Sequence, residues 1–532
     1  MRVMKIIAGL ALVGCAALLF AQAKPQPAGA SNVITIASPA PLYHVQIMVR
    51  AGSADDLVGK EGTANLVARA LIDAGFGSPK NPVTKERLAE ITRPWGSAAL
   101  PSVMVDKQTT TFRMLVPKDA FPQFVNQVLR PMFSQPLFDA KEIDRLRAES
   151  LTAIQSRLRF EEQEQLGLLA LDNFVLDGSR LGHLSTGTVA GLKSITREDL
   201  LNFYKKFYNA GNMWIATSAD AAAVKQLQAA LPAGTAVNKT AKFDVNPVQG
   251  RSLLIITQPN AIATGIHFGY PISVKRGDPD YWPLYIANAF LGQHRDSFGR
   301  LYQEIREDRG YNYGDYTYVE YLAARPYSLF PPPNTPRTQQ YFSMWIRPVG
   351  HEYAHFITKA GTAEFERFIK EGLTPEQVEE AKVKVRTLYL NFAESTGRQL
   401  GYRLDDKFYG TTGRGYLDQM LNDIDKVTPE QVNAAIKKHF QTANLKFVVV
   451  TNESVAEQLA NDIANNANVR SKTLAEYHIA EPAPPEKQQM LKQDEEWKAY
   501  PLNISRDRIT IVKADQMFET ATTPGATKPA AQ

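Results

Sequence analysis

Two stretches of the chain share one rhythm of apolar and polar positions. Ser194 to Met213 reads SITREDLLNFYKKFYNAGNM, and Lys426 to Leu445 reads KVTPEQVNAAIKKHFQTANL; the two align without a gap. Each opens on a threonine, Thr196 or Thr428, with Asp199 or Gln431 three residues on. That spacing predicts an N-cap closed into a capping box, and Pro429 suits the first helical position. The apolar spacing that follows predicts an amphipathic helix of about three turns. An apolar run then predicts a strand, Met213–Thr217 in one copy and Leu445–Val450 in the other. A gapless match of this length implies a duplicated α+β module.

The remaining pattern fills both copies. In the first, Val33–Ile36, His44–Arg50 and Gln108–Val116 read as strands, and Asp139–Val175 is helical in its periodicity. In the second, strands are expected at Leu253–Thr257, Ile266–Tyr270 and Gln340–Arg347, with helices at Asp280–Phe290 and Thr374–Phe392. The expected plan is module one over 32–233, a polar linker over 234–250, module two over 251–466, and an extended segment over 467–532 ending in a disordered tail. The fold class is α+β: in each module an antiparallel sheet with helices mainly on one face.

A chain of 532 residues is too long for one core, which agrees with the duplication. Its 44% hydrophobic and 22% charged residues are ordinary for a globular protein. A net charge of +5 without a Lys/Arg-rich block gives no sign of nucleic-acid binding. Residues 1–23 read as a signal peptide: a basic start, an apolar run from Ile6 to Phe20, and Ala21-Gln22-Ala23 as a cleavage site. Leu12-Val13-Gly14-Cys15 also fits a lipobox, but the apolar run continues past Cys15 and favours cleavage after Ala23. Both readings predict an exported protein, periplasmic or in the cell envelope, with membrane attachment only if Cys15 is lipidated. Cys15 is the only cysteine, so the folded body has no disulfide and no thiol nucleophile.

Three short segments could carry chemistry. Gly62 to Gly75 has the frame of a zinc-peptidase helix, with an apolar face at Leu66, Val67, Ala70 and Leu71. Arg300 to Tyr313 holds Arg306 seven residues before Tyr313. His351-Glu-Tyr-Ala-His355 fits the upright motif H-E-x-x-H. The two-module plan, the segment His44–Ala74 and the segment Phe298–Tyr313 together resemble the insulinase-type (pitrilysin-like) metallopeptidase family.

That resemblance implies a clam-like pair of homologous modules and an inverted zinc box, H-x-x-E-H, in active members. Here Asn65, Ala68 and Arg69 stand at the positions of its first histidine, glutamate and second histidine. Asn is a poor zinc ligand, Ala takes no proton and Arg repels a cation, so no zinc is expected in this chain. Glu149 lies near where the family's more distant glutamate belongs. The resemblance also implies that Arg306 and Tyr313 donate to the peptide carbonyl and the developing oxyanion. It implies a homologous zinc-bearing partner subunit in a heterodimer, with peptides as substrates. A non-enzymatic peptide-binding or assembly protein of the same fold is the alternative. A self-contained zinc peptidase at His351 and His355 is a third, with Glu376 or Glu379 as the further ligand, although both lie beyond Gly372 and Pro375. Gly292-Gln-His294-Arg295 reads as a polar loop, the tyrosines from Tyr311 to Tyr321 as a strand face, and Pro331–Pro336 as a stiff loop.

Overall fold

Both copies of the repeat form a helix followed by a strand in the computed structural model of the protein, which describes residues 32–525 apart from 238–242, 244, 323–330, 412–414 and 480–481. The signal peptide, Cys15 and the end of the tail lie outside the described residues. Thr196 caps helix Arg197–Phe207 and closes a capping box with Asp199, and Thr428 and Gln431 do the same for helix Pro429–His439. Each such cap contributes about 1 kcal/mol and fixes where the helix begins.

In chain order the first half gives β1 (Val33–Thr35), β2 (Leu42–Val49), a small separate hairpin of β3 (Phe76–Ser78) and β4 (Asn81–Val83), then β5 (Ser102–Val105), β6 (Thr110–Pro117) and β7 (Met213–Thr217). The second half gives β8 (Ser252–Thr257), β9 (Thr264–Ile272), β10 (Gly314–Tyr318), β11 (Gln340–Val349), β12 (Lys446–Thr451) and β13 (Ile509–Lys513). The first sheet has the order β1-β7-β2-β6-β5 and the second β10-β11-β9-β12-β8-β13. Read from opposite ends, they share one topology strand for strand, and β13 is an addition. Each sheet has an antiparallel centre, and parallel pairs join β1 to β7, β12 to β8 and β13 to β8. The antiparallel reading holds for the centre of each sheet, and the parallel pairs at the edges follow from the long connections between their strands.

The helices of each half lie mainly on one face of its sheet, and a further helix covers the other face. The second covering helix comes from the other half of the chain. Leu253, Ile255, Phe447 and Val449 enter the core of the second half, while Leu254, Ile256, Val448 and Val450 belong to the core of the first. Helix Gln163–Val175 lies on that second face, against β9 and β12. In return, helix Thr396–Tyr409 lies on the first sheet, packing Leu400 and Leu404 against Met48 and Ala216. Strands buried on both faces need side chains apolar at every position, which accounts for the unbroken run Leu253-Leu-Ile-Ile256. The exchange requires a close approach at Gly167, where a Cβ would stand 2.6 Å from Nδ1 and 2.9 Å from Nε2 of His267.

Buried charges join the halves beside these helices. Arg337 donates to both carboxylate oxygens of Asp106, at 3.0 and 2.7 Å, and to Asp172 at 2.7 Å. Lys107 pairs with the other Asp172 oxygen at 2.8 Å. The loop Pro331–Pro336 is part of this junction: Arg113 donates to Asn334 Oδ1 at 2.7 Å and to the Pro333 carbonyl at 3.2 Å.

The C-terminal segment departs from the extended reading. It forms helix Pro485–Ala499 and then β13, which pairs with β8. Beyond β13, Met517 and Phe518 enter the core of the first half, and the Phe518 and Glu519 carbonyls accept from Val189 N and Ala190 N. Its apolar residues are too sparse for a periodic signal, but they insert into cores completed by the rest of the chain.

Candidate functional site

The segment that opens at Gly62 is a helix, Thr63–Asp73. The buried Asp56 carboxylate accepts from Gly62 N and Ala64 N, each at 2.7 Å, and so caps its first turn. Leu66, Val67, Ala70 and Leu71 are buried, and so is Ala68. Arg69, on the same helix face as Asn65, reaches the neighbouring helix Ala140–Thr152. There its guanidinium pairs with Glu149 and donates to Ser150 Oγ at 3.0 Å. Glu149 therefore stands opposite position 69, and the cation it holds is a guanidinium.

The insulinase resemblance implies zinc at such a helix, and these residues do not fit it. The position of the second imidazole carries a fixed positive charge, and the carboxylate opposite is already taken by Arg69 and Arg145. Desolvation pushes the Glu149 carboxyl up, but the two guanidiniums outweigh it and hold the group below its ordinary value. Further pairs join Arg145 to Glu142 and Asp73, and Asp73 to Lys85. Arg69, Arg145 and Lys85 thus balance Glu149, Glu142 and Asp73, and this network needs no further cation.

The His351–His355 motif does not form a ligand pair either. His351 lies in a 3₁₀ turn, His351–Tyr353, and the α-helix begins only at Ala354. Its Nε2 is 3.0 Å from the Ala261 carbonyl, and its Nδ1 lies 2.9 and 3.1 Å from the hydroxyls of Thr264 and Thr451. A carbonyl can only accept, so Nε2 carries the proton and the single lone pair of Nδ1 accepts from one of the two hydroxyls, which also bond each other; no lone pair is left for a metal. Burial, with Lys359 nearby, lowers His355 to about 4, and its Nε2 has no hydrogen-bond partner among the described residues. Glu379 pairs with Lys382 at 2.9 Å in the next helix, Pro375–Phe392. Among the described residues no three His, Cys, Asp or Glu side chains converge on a metal position.

The arginine–tyrosine segment sorts its four strongest side chains into two classes. Arg309 and Tyr311 point inward. Arg309 donates to Asp494 at 2.7 Å and Gln493 at 2.8 Å, and its guanidinium lies 4.2 Å from the Trp497 ring centre. Tyr311 packs against Tyr353 and Phe356. Helix Pro485–Ala499, read as extended chain from sequence, thus anchors the turn from beneath.

Arg306 and Tyr313 are left at the surface together. Arg306 Nη1 donates to the Tyr313 carbonyl at 2.7 Å, and its guanidinium carbon lies 4.2 Å from the Tyr313 ring centre. Tyr313 is 68% exposed. Among the described residues no carboxylate pairs with Arg306, so four of the five N–H donors that a guanidinium carries remain uncommitted. Asn312 donates to the Gly314 carbonyl at 3.1 Å and to the buried Asp315 carboxylate, which clamps the backbone on either side of Tyr313.

Two residues nearby were missed or misread. Tyr302, one turn before Arg306, places its ring 4.6 Å from the same guanidinium; an aromatic four residues before an arginine on a helix was the available signal. His294, expected in a polar loop, is buried against Tyr316 and Tyr318 and is bonded to the Tyr318 hydroxyl. Burial keeps it neutral by lowering it to about 3, so it offers no general base near pH 7.

Residues 194–385 match the family described as the Peptidase M16 inactive domain. An uncharacterized zinc protease of Streptomyces coelicolor is 26% identical over 267 residues, 48% of this chain and 54% of that protein, so the match spans about half the relative's length. A non-peptidase homolog of Helicobacter pylori is 21% identical over 349 residues, 61% of this chain and 71% of that protein. Among solved structures, a peptidase M16 inactive domain from Pseudomonas fluorescens has the same fold, with a TM-score of 0.65 at 22% identity, covering 79% of this chain and 94% of that one.

Proposed function

We propose that this chain, a member of the insulinase-type (M16) family whose zinc box is lost, is the exported zinc-free subunit of a two-chain peptidase. A homologous subunit with an intact box supplies zinc and the general base, and this chain supplies Arg306 and Tyr313. The observation that carries the reading is the asymmetry between its two segments. Arg69 and Glu149 neutralise one another where a metal would bind, while Arg306 and Tyr313 stand together at the surface with donors to spare. A guanidinium N–H and a phenol O–H aimed at a peptide carbonyl oxygen stabilise the charge that develops there on attack. Losing one such donor costs on the order of a hundred- to a thousandfold in rate. Among the described residues no helix is long and apolar enough to cross a membrane.

The test is to co-purify the chain with zinc-box homologues of the same cell and assay peptide cleavage. A heteromer whose activity collapses with Arg306→Ala and Tyr313→Phe is expected. Absence of a heteromer, or full activity in that double variant, refutes the reading. The non-peptidase description of the Helicobacter relative favours a second reading, a peptide-binding or assembly protein without turnover. It predicts peptide binding by the purified chain and no cleavage with any partner.

A further inference from the structure

Arg306 is the end of a long, flexible side chain with one hydrogen bond and no ion pair among the described residues. That bond, to the Tyr313 carbonyl, fixes one end of the guanidinium and leaves the rest of the group to be held by packing. The helical turn Tyr302–Glu307 puts Tyr302 and Arg306 four residues apart, on one face. The Tyr302 ring centre is 4.6 Å from the guanidinium carbon and the Tyr313 ring centre is 4.2 Å from it. Both distances are within cation–π range. The Tyr302 hydroxyl makes no hydrogen bond among the described residues, so its ring is what the side chain contributes.

We propose that Tyr302 is a positioning residue whose ring holds the Arg306 guanidinium against Tyr313 in the chain by itself, before any partner arrives. Tyr313 is exposed and supplies one wall; Tyr302 is half-buried, belongs to the same helical turn as Arg306, and supplies the fixed one. The arrangement holds the guanidinium, without an ion pair among the described residues, already oriented where an incoming carbonyl oxygen or carboxylate would meet it. The part this plays in peptide hydrolysis rests on the function proposed above; the positioning itself does not.

The two are separated by measuring Arg306 directly. Phenylglyoxal modification of Arg306, followed by peptide mass mapping of the purified chain, reads how freely the guanidinium leaves its place. Tyr302→Phe keeps the ring and should match the wild type, whereas Tyr302→Leu should be modified about two- to fivefold faster, the size of a cation–π contact at a surface site. Other arginine peptides serve as internal references, and Tyr302→Met replaces the leucine variant should that one fail to fold. An unchanged rate in the folded Leu or Met variant, or a Phe variant as fast as either, overturns the proposal. In an active heteromer the Leu variant should lower kcat at nearly constant KM, with rescue by Phe. If the modification rates separate as expected but no partner yields cleavage, the positioning stands and the peptidase reading falls.

Discussion

Replacing Arg337 by methionine tests whether the two halves of the chain are locked by charge as well as by exchanged helices. Arg337, Asp106, Asp172 and Lys107 are all buried, with side chains between 1 and 6% exposed. Two cations face two carboxylates, so the group is neutral as it stands. Methionine keeps much of the arginine stem's volume but deletes three hydrogen bonds, and it leaves two carboxylates sharing one lysine. Breaking a buried pair from one side costs about 3–5 kcal/mol, mostly through the stranded charge. With a urea m-value of about 3 kcal/mol/M or somewhat more, the unfolding midpoint should fall by about 1 M. Urea titration followed by both tryptophan fluorescence and far-UV circular dichroism reads the change and shows whether the halves still unfold together. Pairing Arg337→Met with Asp106→Asn restores neutrality and should recover about 1–3 kcal/mol of the loss, a coupling that a double-mutant cycle isolates. A loss below about 1 kcal/mol in the single variant, or strict additivity in the double, would refute the reasoning.

Gly167→Ala should destabilise by about 1–3 kcal/mol, because the new methyl overlaps the His267 ring between tightly packed layers; thermal unfolding measures it, and His267→Ala should relieve it. Burial raises the Asp315 carboxyl to about 7, against the pull of Asn312 and Arg306, while an unfolded aspartate titrates near about 3.9. The folded chain therefore holds the extra proton. The stability this group contributes is present below about pH 4 and is lost as pH rises through about 7. Asp315→Asn should flatten that fall in a pH series of unfolding midpoints, and an unchanged slope would contradict the assignment. The purified chain, equilibrated with zinc and desalted, should retain none; one zinc per chain that His355→Ala removes would revive the upright motif as a site.

Residue identity by itself settled the chemistry of the vacated box, since asparagine, alanine and arginine cannot replace two imidazoles and a carboxylate in any fold. The repeat likewise declared the duplication, because threonine caps and apolar spacing act within a few residues of one another. The family resemblance, through its arginine–tyrosine segment, also pointed to Arg306 and Tyr313 as candidates. Sequence did not show that Glu149 pairs with Arg69, because the two lie on different helices and their meeting depends on how those helices pack. Nor could it divide Arg306 and Tyr313 from Arg309 and Tyr311. The types are the same, and only the arrival of Asp494 and Trp497 from helix Pro485–Ala499 decides which arginine is drawn inward. The exchanged helices have the same cause. Periodicity states that a face will be buried, and only the tertiary structure states what buries it, because apolar contact has no direction and no memory of sequence distance.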